Sequence, residues 1–108
     1  MTVNPIVYER LVAAARQRAT VPIAEVARLA GLSTGSATDD KILGLILDNI
    51  AEHEAGERRP LLPVVVVAAA GGPPGAGLAR YARRVGLADD PASLADELAR
   101  VHAHWAKR

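Results

Sequence analysis

The sequence contains no cysteine and no phenylalanine, and only one tryptophan and two tyrosines. Without thiols, disulfides, thiolate metal sites and cysteine nucleophiles are excluded, and the chain suits a reducing compartment such as the cytoplasm. Aromatics make up 3% of a chain that is 50% hydrophobic, so the core has to be built from Ala, Val, Leu and Ile. That composition favours helices packed at close approach. Long apolar runs are missing too. The longest, Leu61 to Ala70, is interrupted by Pro63 and is far short of the roughly 20 residues that span a bilayer. No basic flank followed by an apolar run opens the chain, so neither a signal peptide nor a membrane partner is expected.

At 108 residues there is room for one domain, residues 1–108, with one core. The weight of Ala, Arg, Gly and Pro is of a kind common in high-GC bacterial genomes. The net charge of +1 hides an asymmetry. Between Thr20 and Gly56, Glu25, Asp39, Asp40, Asp48, Glu52 and Glu54 face only Arg28 and Lys41, leaving that half at −4 and the remainder at +5.

Local signals divide the chain into about five helices. Asn4-Pro5 is a helix start, with Asn as cap and Pro at the first helical position, and the first helix is expected over Pro5 to Ala19. Ile6, Val7, Leu11 and Val12 form its apolar face. Thr20-Val21-Pro22 breaks it and suits a very short strand. A second helix runs to Ala30, where Gly31 supplies a left-handed residue. A loop carrying Ser33, Thr34, Gly35 and Ser36 leads to a third helix, about Thr38 to Ala55, with Asp39 and Asp40 at the positive end of its dipole. Ile42, Leu43, Leu45, Ile46, Leu47 and Ile50 spread over more than one stripe, so this helix is expected at the centre of the core, ending at Gly56. Val64 to Val67 is the one strong strand signal. A Gly/Pro-rich loop precedes a fourth helix, Leu78 to Val85, with Val85 inward. Asp90-Pro91 opens a fifth, whose Leu94, Leu98, Val101 and Trp105 make one amphipathic stripe.

Two resemblances attach to particular residues. Val26-Ala27-Arg28-Leu29-Ala30-Gly31-Leu32-Ser33 resembles the start of the helix-turn-helix in lac-repressor-type regulators. The likeness covers eight residues. It ends at Thr34, where the turn lengthens and an apolar, acidic helix replaces a base-reading one. Pro63-Val64-Val65-Val66 falls near the place where alkylguanine-DNA alkyltransferases, whose winged-helix domain has a similar helix pair, carry their reactive cysteine. This chain has none, so only the fold is implied and alkyl transfer is excluded. The expected fold class is mainly α: a helix-turn-helix or winged-helix-like bundle of about five helices with one strong β-strand.

Nucleic-acid binding needs cations for phosphate and Arg, Lys, Asn or Gln for base edges. The third helix offers only Lys41 and Asn49 among five acids. The candidate contacts are therefore Arg10, Arg16, Arg18, Arg58, Arg59, Arg80, Arg83 and Arg84. Gly72-Pro73-Pro74-Gly75-Ala76-Gly77 has the outer spacing of a phosphate loop, but Leu78 and Ala79 stand where Lys and Ser or Thr belong, and prolines lack amide donors. His102 and His104, two apart, cannot share a helix face and are expected to be exposed beside Trp105. No metal or cofactor is expected, and no catalytic residues are assigned. The reading is a non-enzymatic binding or regulatory module of the winged helix-turn-helix class that contacts nucleic acid through its arginines. The alternative is a protein-interaction module, of adaptor, antitoxin or immunity type, that uses the same fold without DNA. A homodimer is compatible with either. An exposed apolar patch on the third helix, or on the Val-rich strand, would favour the alternative.

Overall fold

The computed structural model describes residues 3–33 and 35–107. Thr34, part of the expected loop of capping residues, lies outside them. In order the elements are α1 (Pro5–Arg16), β1 (Val21–Pro22), α2 (Ile23–Leu29), α3 (Ala37–Gly56), a 3-10 turn (Leu62–Val65), β2 (Val66–Val67), α4 (Ala79–Val85) and α5 (Pro91–Ala106). The fold is mainly α, five helices with one small parallel pair, Val21 opposite Val66 and Pro22 opposite Val67.

The centre of the molecule is the segment from Leu61 to Val67, in which every residue is buried. Helices α1, α3 and α5 all pack on its 3-10 turn. The valine run is therefore covered on all sides, as its continuous β-branched character implies, but only its last two residues are strand. Pro63 fixes a helical φ and Leu61 accepts the Val64 amide at 3.1 Å, closing a tight turn where an extended strand was expected. β2 offers no free edge for pairing between chains. β1 holds one side, and a bridge from Val67 to Pro74 occupies the other.

Side-chain caps open α1, α3 and α5. Asn4 accepts the Val7 amide at 3.1 Å and Asp90 the Ser93 amide at 3.1 Å. Ser36 caps α3, accepting from Asp39 at 3.4 Å. The Ser93 hydroxyl and amide hold the Asp90 carboxyl below its ordinary range.

Helix ends differ from expectation at two places. Gly31 (φ 73°) and Gly86 (φ 79°) close α2 and α4 in the left-handed conformation, but α1 and α3 end on Arg18 (φ 54°) and Arg58 (φ 57°). Each arginine sits in a Schellman turn: Ala19 donates to Ala14 at 2.8 Å, and Arg59 donates to Glu54 at 2.9 Å. Satisfied carbonyls offset the Cβ strain; α3 ends on Gly56 as expected, but its left-handed residue is Arg58, and α1 ends at Arg16, short of the expected Ala19. Arg18→Gly is expected to raise stability by about 0.5–1 kcal/mol, read as a melting temperature roughly 2–6 °C higher. A lower value would mean that the arginine side chain contributes more than its backbone costs.

Four apolar side chains expected inside are outside, Ile42 at 41% exposed among them. Ile6 is 58% exposed, Val85 45% and Leu45 48%. On α5, Val101 and Trp105 are buried and Leu94 and Leu98 half-buried against the same core. The Cα radius of gyration, 12.5 Å, matches the ~13 Å of a single packed unit of this size. Among the described residues, no helix is long and apolar enough to cross a membrane.

Candidate functional site

The eight candidate arginines divide evenly into those held by ion pairs and those without one among the described residues. Arg10 pairs with Glu25, Arg59 with Glu54 at 2.7 Å, Arg80 with Asp48 at 3.4 Å, and Arg84 with Glu52 at 2.6 Å and Asp48 at 4.0 Å. Arg16, Arg18, Arg58 and Arg83 are exposed and make no ion pair among the described residues. These four do not share an element end. Arg16 and Arg18 close α1, whereas Arg58 follows the end of α3, which packs beside Tyr8 in the first half of α1. Ten residues of mostly helical rise, about 15 Å, separate Tyr8 from Arg18.

The acidic and basic halves of the chain thus meet each other. Gly44 leaves room for the Arg80 guanidinium to lie on α3, since a Cβ there would sit 2.8 Å from its Nη1. Arg80 and Arg84 then reach the acids of α3. Burial pushes the Asp48 carboxyl above its ordinary range, and the two arginines offset part of that shift. The Arg84–Glu52 pair, exposed on both sides, stabilises little by itself. The consequence of these pairs is that the α4 arginines are placed on protein carboxylates.

A second cluster links three helices. Glu54 is fully buried. Its Oε2 accepts from Arg59 Nη2 at 2.7 Å, Arg59 Nε at 3.1 Å and the Tyr8 hydroxyl at 3.2 Å. Arg59 also lies 5.8 Å from the centre of the Trp105 ring, a cation–π contact. Burial, and then the charge of Glu54, raise the Tyr8 hydroxyl above its ordinary 10.0. The histidines are structural as well. His102 Nε2 lies 3.0 Å from the carbonyl of Ala19. A carbonyl only accepts, so that nitrogen carries the proton. His102 and His104 are half-buried, where exposure was expected, and the His104 ring meets Trp105 edge-on at 5.1 Å.

The outer face of α3 is the surface that sequence reasoning misplaced. Leu43, Leu47, Ile50 and Ala51 face the core, while Ile42 is 41% and Leu45 48% exposed. Six isoleucines and leucines span too wide an arc of this helix for one buried stripe to absorb. The outward line runs Thr38, Ile42, Leu45, Asn49, Glu52, at intervals of four, three, four and three. Lys41 and Asp40 stand exposed beside it, without ion pairs among the described residues. In a DNA-reading helix-turn-helix this line would carry the base contacts. Here its centre is aliphatic.

Comparison with known protein families, with curated proteins and with solved structures gave no match. The eight residues from Val26 to Ser33 form the end of α2 and its turn, with Val26 and Ala27 fully buried and Gly31 left-handed, as expected of a glycine that ends a helix.

Proposed function

We propose that this chain is a small non-enzymatic protein-interaction module of the winged helix-turn-helix class, which docks a protein through the outer face of α3. The observation that carries the reading is the pair of exposed aliphatic side chains, Ile42 and Leu45, on the face where the class presents polar readers. Four of the eight arginines suited to phosphate are already held by acids of this chain. The class assignment is supported by the order α1, β1, α2, turn, α3, strand, and by the left-handed Gly31. It departs from the class in two ways. Residues 30–36 connect α2 to α3, longer than the usual turn of three or four residues, and a single bridge from Val67 to Pro74 stands where a wing hairpin would. The non-enzymatic part is supported by the occupation of the reactive side chains. Tyr8, Glu54 and Arg59 hold one another, Asp39 and Asp90 accept backbone amides, and His102 donates to Ala19.

The nucleic-acid reading keeps one observation in its favour, the unpaired Arg16, Arg18, Arg58 and Arg83. Fluorescence anisotropy with a labelled random duplex, at about 50 mM and about 200 mM salt, separates the two. Docking predicts no binding at either concentration. Salt-sensitive binding that disappears in Arg16→Ala/Arg18→Ala/Arg83→Ala would overturn it in favour of DNA.

A further inference from the structure

The flank of α3 that faces α4 carries a carboxylate short of hydrogen-bond donors. Asp48 is 6% exposed, and a buried carboxylate ordinarily collects hydrogen bonds. Among the described residues it accepts none. Arg80 Nε lies 3.4 Å from it and Arg84 Nε 4.0 Å, beyond the roughly 2.7–2.9 Å of a charge-assisted hydrogen bond. Arg80 is likewise open. It donates no hydrogen bond among the described residues, its side chain is half-exposed, and its Nη1 rests over Gly44. Both residues line a cleft of about 200 Å³. Ile23, Leu43 and Leu47 give the cleft apolar walls, and Gly77 gives it a wall without a side chain. Asp40, exposed and without an ion pair among the described residues, lines it too. We propose that this cleft binds a small free α-amino acid, its carboxylate on Arg80 and its ammonium on Asp48. The site goes beyond the docking reading. Ile42 and Leu45 lie one or two residues from Gly44 and so on other sides of the helix.

Charge balance selects a zwitterion. A simple anion on Arg80 would lie against Asp48 and Asp40, and a simple cation on Asp48 would lie against Arg80 and Arg84. A molecule carrying both charges gives each group its opposite. Burial holds the Asp48 carboxyl above its ordinary range even with two guanidiniums beside it, so a further cation there is favourable. The separation of Asp48 and Arg80, 3.4 Å, requires the two ligand charges to stand on neighbouring groups, as they do on an α-carbon. The remaining walls are aliphatic, which suits an aliphatic side chain. The volume is below the roughly 300–1,000 Å³ of pockets for larger ligands, which keeps that side chain short. Valine has these properties.

L-valine is the probe, titrated into the isotope-labelled chain and followed by amide NMR. Saturating shifts at Gly44, Asp48 and Gly77 are expected, with a Kd below about 1 mM. N-acetyl-L-valine lacks the ammonium, L-valinamide lacks the carboxylate, and δ-aminovalerate is an isomer of valine with its charges far apart. Each should bind at least about tenfold more weakly. Equal binding of any of the three overturns the zwitterion, and no saturable shift with valine up to about 20 mM overturns the site. Gly44→Ala is the deciding variant. Its methyl displaces the Arg80 guanidinium, the movable end of a half-exposed side chain, while alanine suits a helix interior better than glycine. The melting temperature should hold or rise, and valine binding should fall by more than about tenfold. Asp48→Asn keeps the side-chain volume, removes the charge that meets the ammonium, and should weaken binding to a similar extent. Valine binding that is unchanged in both variants would put the amino acid elsewhere and overturn the proposal.

Discussion

Arg59→Ala is expected to destabilise the fold by about 3–5 kcal/mol, the range for removing one partner of a buried ion pair. In a domain of this size that lowers the melting temperature by more than about 10 °C. The reason lies with Glu54, whose side chain is fully buried while that of Arg59 is 23% exposed. Three donors converge on Glu54 Oε2, two of them from Arg59, and Oε1 has no hydrogen-bond partner. Without Arg59 a carboxylate would remain in the core with only the Tyr8 hydroxyl, 3.2 Å away, to compensate it. Arg59→Lys should fall in between, since an ammonium keeps the charge but cannot reproduce the fork of Nε and Nη2. The decisive control is Glu54→Leu/Arg59→Met, expected to lie near the unaltered protein or above it. Replacing both members by apolar side chains of similar volume removes the desolvation cost together with the attraction. If thermal or denaturant unfolding shows Arg59→Ala costing less than about 1 kcal/mol, as an exposed pair would, the core-acid account fails.

That pair shows where the sequence was legible and where it was not. Leu43, Leu47, Ile50, Ala51 and Glu54 continue one buried stripe of α3, so the helical period alone marks Glu54 as a core position needing a cation. Counting it among surface acids, and Arg59 among phosphate contacts, overlooked that signal. Capping signals contained within four or five residues read true. Asn4-Pro5, Gly31, Gly86 and Asp90-Pro91 sit at helix boundaries because capping is local chemistry. Signals that depend on what lies opposite did not. Arg18 and Arg58 adopt left-handed backbone because the preceding carbonyls are satisfied there. Ile42 and Leu45 have the composition of core residues and an exposed position, off the stripe that the same helical period marks. The charge asymmetry between the two parts of the chain is plain in the sequence. What the sequence could not supply was that α4 turns its arginines onto the acids of α3 within the same molecule.

The Gly-rich loop gives the second large effect. Gly77→Ala is expected to cost about 3 kcal/mol, the upper part of the range for overpacking a filled interior. Gly77 is buried, and its amide points to the Val66 carbonyl at 3.4 Å. A Cβ on it would come within 2.7 Å of both the Pro63 carbonyl oxygen and Val66 Cβ. Neither can swing away, because Pro63 and Val66 belong to the buried segment on which α1, α3 and α5 converge. Gly75 is the intermediate case. Its φ of 108° disfavours a side chain, but the atom a Cβ would meet first is Leu94 Cδ1, at the far end of a half-buried side chain that can rotate. Gly71 is the mild one, with φ 77° and open space around it, so alanine there should cost only about 1 kcal/mol of backbone strain. Denaturant midpoints of the three alanine variants should therefore fall in the order Gly71, Gly75, Gly77 from highest to lowest. A Gly77→Ala variant as stable as Gly71→Ala would show that the loop does not press on the valine run. The graded series follows from backbone conformation and close approach together, so the phosphate-loop spacing of Gly72 to Gly77 reflects how this loop turns and crosses the core.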